Sequence, residues 1–247
     1  MIDNQQGCQT TLCGLFPGGL IMGLLLSVVG SAITHATDDG AAGIIYAPPL
    51  LGSAGVVVGA GSRGARLEDL ALCALAPDHV ALSSRPAPTL YWLGVGTLPT
   101  APRLRIGIAG TGSTLLETTL PVVDADGIHR LALGEYGVEL REDVDYRWAL
   151  SLPVSRIGAT ETLRVSGYIR YRQVSPRLSA RLSGLSGAEL PAVYAGAGYW
   201  YDAIWLLSEL IRANPGEPRF RRQRLALLES VPLPAVIAHD RQALSAQ

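Results

Sequence analysis

Lysine is absent from this chain. All 20 of its basic residues are arginine, a habit of GC-rich coding sequence that carries no function of its own. Net charge is nearly absent as well: 20 basic residues against 21 acidic ones leave −1 at pH 7, with a pI near 6.4. So even a balance excludes the broad basic field that draws nucleic acid or an anionic membrane surface. Cysteine is scarce. Cys8 and Cys13 lie in the apolar opening of the chain, neither behind the small-residue box of a lipoprotein, and the mature domain is left with Cys73. An internal disulfide is thereby excluded there, and stability rests on packing. Cys73 sits among the apolar neighbours of "LALCALAP", which reads as a buried inert thiol and not a nucleophile. The four histidines, His35, His79, His129 and His239, are scattered with no metal-ligand spacing, so no zinc site is expected. No Gly-x-Ser-x-Gly elbow and no Walker loop occurs, which removes the commonest hydrolase and nucleotide-phosphate signatures.

Apolar residues, by contrast, are plentiful. They make up 48% of 247 residues while charged ones make up 17%, enough for one sizeable core with a small appendage. Residues 1–36 carry a single charge, Asp3, and run apolar and glycine-rich from Leu12 to Ile33. The run and the small residues after it (Gly30-Ser31-Ala32 or Thr34-His35-Ala36) read as an export segment, either a signal peptide or an uncleaved membrane anchor. No Lys or Arg precedes the run, which leaves the mode of export open. The expected location is the periplasm or cell envelope, with membrane contact only through this segment if it stays uncleaved.

Residues 37–64, centred on "YAPPLLGSAG", have linker composition. From about His79 to Val174 the period is two. "VDYRWALSL" sets Val144, Tyr146, Trp148, Leu150 and Leu152 on one face and Asp145, Arg147, Ala149 and Ser151 on the other. "TLRVSGYIRYRQV" opposes Leu163, Val165, Ile169 and Tyr171 to Arg164, Ser166, Tyr168, Arg170 and Arg172. Such alternation marks strands buried on one side. With "HVALS", "TLYWLGV", "RLRIGIA", "TLLETTLP" and "GIHRLAL" it predicts about seven strands in an antiparallel β-sandwich, immunoglobulin-like or jelly-roll. Beyond Pro176 the period turns helical, so the expected class is α+β: a sandwich over 65–175, a helical hairpin over 176–233 and a tail over 234–247. In the helix from Tyr199 to Arg212, one stripe gathers Trp200, Ala203, Ile204, Leu207, Leu210 and Ile211. Tyr201 and Trp205 fall on its polar side with Arg212 and are the first candidates for touching a partner. The second candidate is "RFRRQR", where Arg219, Arg221, Arg222 and Arg224 offer planar forks to carboxylate or phosphate. Arg164, Arg170 and Arg172 form a second basic patch on a strand face.

Residues Leu190 to Pro215 resemble one tetratricopeptide repeat, with Leu190 and Tyr194 in its first helix, Gly198 at the turn, Ala203 in its second helix and Pro215 closing it. "GAGSRGA", "LYWLG", "YRWALSL", "SGYIRY" and above all "YAGAGYWYDAIWLLSEL", taken together from about Gly59 to Leu233, resemble the bacterial family called domain of unknown function 928. That resemblance implies an exported bacterial protein, and no activity comes with it.

Three chemical motifs remain. Gly59-x-Gly61-x-x-Gly64 has dinucleotide-loop spacing, but no second strand-helix unit follows and Asp78 precedes its strand instead of ending it, so no cofactor is expected. "DADG" (Asp124 to Gly127) lacks the later calcium ligands and reads as a hairpin turn. Glu139, Glu142, Asp143 and Asp145 hold a glycosidase pair only if two face across a cleft; solvated turn acids are the plainer reading. The expected function is a non-enzymatic protein-interaction module of the envelope. The alternative is a small-molecule or carbohydrate-binding sandwich with its site near Trp92, Trp148 and Tyr168.

Overall fold

The computed structural model describes residues 43–51, 64–67, 69–122, 126–156 and 159–246. The export segment, all but the last glycine of the 59–64 loop, and Asp124 of the "DADG" turn lie outside them. Among the described residues the strands come first and the helices follow, as an α+β chain. The strands are β1 (Gly64–Leu67), β2 (Leu70–Ala74), β3 (Val80–Ser83), β4 (Thr89–Val95), β5 (Arg103–Ile108), β6 (Thr114–Thr119), β7 (Gly127–Ala132), β8 (Asp145–Arg156) and β9 (Ala159–Tyr171). The helices are α1 (Pro176–Leu182), α2 (Leu190–Gly196), α3 (Trp200–Ala213), α4 (Pro218–Glu229) and α5 (Pro234–Ser245).

Two sheets result. One is ordered β1-β2-β4-β7 and the other β3-β9-β8-β5-β6. The long β8–β9 hairpin carries the alternation seen in the sequence: Tyr146, Trp148, Leu150 and Leu152 on β8 and Leu163, Val165 and Ile169 on β9 are buried, while Arg147 and Arg164 are exposed. Among the described residues, the pairings between the named strands are antiparallel except one. β3 runs parallel to β9, pairing Val80 with Tyr168 and Ser83 with Tyr171, which corrects the all-antiparallel expectation. The burial of β3 explains it: all four of its residues are inside, and fully covered strands suit parallel pairing.

Both sheets and α3 contribute to one hydrophobic cluster, whose largest fully buried side chains are Trp92, Trp148, Trp200, Tyr146 and Tyr201. Burying an aromatic of this size contributes about 2–3 kcal/mol. Part of the expected linker belongs to the folded body. Ile44 and Tyr46 are buried, Ala47 N–H donates to Ala195 O at 3.1 Å, and Tyr46 meets Trp200 edge to face. The expected tail is a helix. Pro at its first turn starts α5 without a wasted donor, and Val236 and Asp240 are fully buried on it.

Candidate functional site

Tyr201 does not stand on a polar helix face. It is 1% exposed, its hydroxyl donates to Tyr168 O at 2.9 Å and accepts from Trp148 Nε1 at 3.0 Å. The reason is positional. It lies in the first turn of α3, where the sheet covers the helix on more than one side, so the one-stripe pattern of the later turns does not apply. The whole "GYWYDA" stretch works in this way. Gly198 adopts φ +86, a region open to glycine at little cost, and its carbonyl accepts from Leu82 N–H at 3.3 Å. Tyr199 Oη donates to Gln173 O at 3.1 Å, and Trp200 Nε1 donates to Leu75 O at 3.0 Å. The Asp202 carboxylate accepts from Ser84 N–H at 2.8 Å and Ser84 Oγ at 2.6 Å. Burial pushes the Asp202 carboxyl up to about 6, against the hydrogen bonds from Ser84 that pull it down. The motif ties α3 to four segments of the strand region.

The remaining helical candidates divide. Trp205 is half-buried beneath the Arg85 guanidinium, 3.8 Å from ring centre to Cζ, a cation–π contact. Arg212 is exposed and bonded to Glu209 on its own helix. Arg219 pairs with Glu217 at 3.0 Å and covers the Phe220 ring, and Arg222 is exposed. Arg224 is buried. It grips Asp240 through Nε and Nη2 at 2.8 and 2.6 Å and reaches Ser208 Oγ at 3.3 Å, so it binds α3, α4 and α5 together. Arg221 lies 3.6 Å from the same carboxylate. "RFRRQR" is therefore no continuous basic surface: half its arginines face inward, toward a buried acid 16 residues on.

The strand-face arginines divide too. Arg170 forms a fork with Asp145 at 2.7 and 2.9 Å, and Arg172 pairs with Asp143 at 2.7 Å. Glu142 accepts from Gln173 N–H. Those acids are spent on ion pairs and strand ends, not aligned across a cleft. The aromatic trio of the carbohydrate reading is also internal, since Trp92, Trp148 and Tyr168 are all buried and present no ring to a sugar. Asp78, His79 and Tyr46 form a hydrogen-bonded chain at 3.1 and 2.8 Å, but Tyr46 ends it against Trp200 inside the core. Among the described residues no three of His, Cys, Asp and Glu gather as a metal-holding group, and no helix is long and apolar enough to cross a membrane.

What the second sheet does build is a groove on its outer face. Register places Arg103 beside Ser151 and Arg105 beside Ala149 across β5 and β8, and Ser151 beside Arg164 and Ala149 beside Ser166 across β8 and β9. Side chains alternate faces, so Leu104, Ile106, Trp148, Leu150 and Val165 go to the core and the arginines go out. The floor is small: Gly107, Ala149, Ser151 and Ser166 line a cavity of about 610 Å³ bounded by Arg103, Arg105, Arg147 and Arg164. Gly107 is required here. A Cβ at that position would meet Ser113 O at 2.0 Å, because the register shifts between Ile106 and Gly107 and the bulge folds the 109–113 loop onto the strand. Arg105 is held by Thr114 Oγ1 at 3.0 Å from Nε and by Gly112 O at 3.3 Å from Nη2; Arg147 is steadied by Ser166 Oγ at 3.2 Å. Glu117 alone among the lining residues is acidic, and it lies 2.9 Å from Arg103. Four guanidinium groups against one carboxylate form a local cationic field in a protein of nearly zero net charge. Arg147 and Arg164 were legible as outward residues of their strands; Arg103 and Arg105 lay in "RLRIGIA", expected only as a strand, and only strand order brings the four together.

A family model described as Domain of Unknown Function (DUF928) matches residues 58–240. No curated protein matches the chain. Among solved structures, a multi-domain immunophilin from Arabidopsis thaliana is similar over 74% of this chain and 97% of its own, at 10% identity and a TM-score of 0.18. So faint a likeness fixes neither fold nor function.

Proposed function

The chain belongs to the DUF928 family, and on that premise we propose a non-enzymatic interaction module of the cell envelope that captures an acidic segment of a partner protein. One observation carries the reading: the cationic groove on the outer face of the β5–β8–β9 sheet, floored by small residues and bounded by four arginines. Arginine forks match carboxylates geometrically, and a concave, partly desolvated setting strengthens them relative to open solvent. Export rests on the apolar run from Leu12 to Ile33. The β region is taken as a sandwich of immunoglobulin-like or jelly-roll type, supported by the single core shared by its two sheets. The α2–α3 pair is taken as one tetratricopeptide-type hairpin, supported by the left-handed turn at Gly198.

The test is direct binding of a fluorescent peptide of ten glutamates, followed by anisotropy at low and physiological salt. The protein is expected to bind it, with affinity falling as salt rises. The triple variant Arg105→Ala, Arg147→Ala, Arg164→Ala is expected to lose at least tenfold while unfolding at the same temperature. Equal binding by this variant, or none by either protein, would overturn the reading.

A further inference from the structure

The groove is bounded on one side by β6, and β6 is an edge. It closes the order β3-β9-β8-β5-β6, and among the described residues no strand pairs with its outer side. Natural sheet edges are commonly guarded by charge, proline or a bulge along the exposed strand. β6 reads "TLLETT", and its single charge, Glu117, is turned to Arg103 instead of to the edge. Two of the four large apolar side chains most exposed in the described residues, Leu115 at 48% and Val122 at 55%, lie on β6 or just past it. Beyond the edge is a second cavity, about 390 Å³, lined by Leu115, Leu116, Tyr136, Val138 and Glu139.

The two sides of β6 therefore differ in chemistry. Glu117 and Thr119 pair with Arg105 and Arg103 and share the groove face; Leu116 and Thr118 pair with Ile106 and Leu104 and share the core face. A strand laid along the free edge would send alternate side chains to these same two faces. One set would stand directly beside Glu117 and Thr119, with Arg103 and Arg105 one strand further in and leaning over β6 to Glu117 and Thr114, and the other would meet the cleft of Leu116, Tyr136 and Val138.

We propose that the acidic partner segment binds as an added strand on β6, with acidic side chains at every second position toward the arginines and apolar ones between them toward the Tyr136–Val138 cleft. This rests on the reading of the groove as the site that captures an acidic partner. Charge complementarity fixes the occupant on one side and the exposed apolar flank on the other. Register is enforced by Glu139: a slip of one residue turns the acids from the arginines to that carboxylate. Main-chain hydrogen bonds to the edge supply affinity, and the two alternating surfaces supply specificity, as in other cases of strand addition.

Three labelled octapeptides test this: one alternating glutamate and valine, one of the same composition in two blocks, and the alternating one with every second amide N-methylated. The alternating peptide is expected to bind best, the block peptide at least fivefold more weakly, and the methylated peptide at least tenfold more weakly. Hydrogen exchange at the amides of residues 114–119 is expected to slow when the alternating peptide is bound. If the methylated and block peptides bind as well as the alternating one, and Arg105→Ala still weakens all three, strand addition is wrong while acidic capture stands. If no peptide binds, or binding ignores the arginine substitutions, both readings fall.

Discussion

Trp148 Nε1 donates to Tyr201 Oη at 3.0 Å, and that hydroxyl donates in turn to Tyr168 O. A strand residue, a helix residue and a strand carbonyl are thus joined inside the core, across 53 residues of sequence. Replacing Tyr201 by Phe keeps the ring but strands the indole N–H and the carbonyl. Leaving buried polar groups unpaired costs about 1–3 kcal/mol, so Tyr201→Phe is expected to lower the unfolding free energy by that amount, seen as a lower urea midpoint with an unchanged slope. An unchanged midpoint would mean that the two hydrogen bonds of the Tyr201 hydroxyl add nothing net to stability.

Asp202 makes stability depend on pH. Its carboxyl stands at about 6 in the folded chain against an ordinary 3.8, so the folded state holds the proton more tightly than the unfolded one. The stabilising contribution is therefore present below about pH 4 and lost as pH rises through 6. Its size is at most about 3 kcal/mol, two pKa units at about 1.4 kcal/mol each. The difference in unfolding free energy between the native chain and Asp202→Asn is expected to change between pH 4 and 7, with the native chain losing ground. A difference that stays flat over that range would mean that Asp202 keeps its charge.

The β8 strand was legible from Asp145 to Leu152, because alternation records its one covered face directly, whereas on β9 Ser166 and Tyr168, expected on the outer face, are buried as well, since the middle of that strand is covered on both sides. β3 gave no such record: with both faces covered, "VALS" announces a strand but not its direction. In α3 the stripe of Ala203, Ile204 and Leu207 was legible, whereas Tyr201 and Asp202 were not, since a helix covered on two sides at its first turn loses its polar face. The groove was half-legible. Arg147 and Arg164 declare an outward position in their alternating strands, but their convergence with Arg103 and Arg105 depends on β5 lying between β6 and β8, and no local pattern encodes strand order. The pairing of Arg224 with Asp240 was hidden for a similar reason, the second partner sitting in a segment that composition marked as a tail.

That pair sets the next expectation. Arg224 and Asp240 are 6% and 0% exposed at their side chains, so each exists at the other's expense of hydration. Arg224→Ala leaves a buried carboxylate facing Arg221 alone and is expected to cost about 3–5 kcal/mol. Arg224→Met combined with Asp240→Leu removes both charges and is expected to recover most of that loss. Thermal unfolding of the two single variants and the double variant measures the coupling. Additive losses would mean that the two side chains act independently.

Glu117 yields an expectation of opposite sign to the usual binding-site substitution. It lies against Arg103 at the rim of the groove, with both side chains about half exposed, so its ion pair adds at most about 1 kcal/mol to stability. The same carboxylate occupies an arginine that an incoming acid needs, and it repels that acid across a few ångströms. A unit charge at about 4 Å in a water-like medium is worth about 1 kcal/mol. Glu117→Gln keeps the shape of the side chain and removes the charge. It is expected to leave the unfolding temperature nearly unchanged while tightening the binding of an acidic peptide by about fivefold at low salt, a gain that salt then erases. Anisotropy titrations at two salt concentrations measure both effects. Weaker binding by the variant would place Glu117 among the groups that hold the ligand, and the groove would then not be selecting for negative charge.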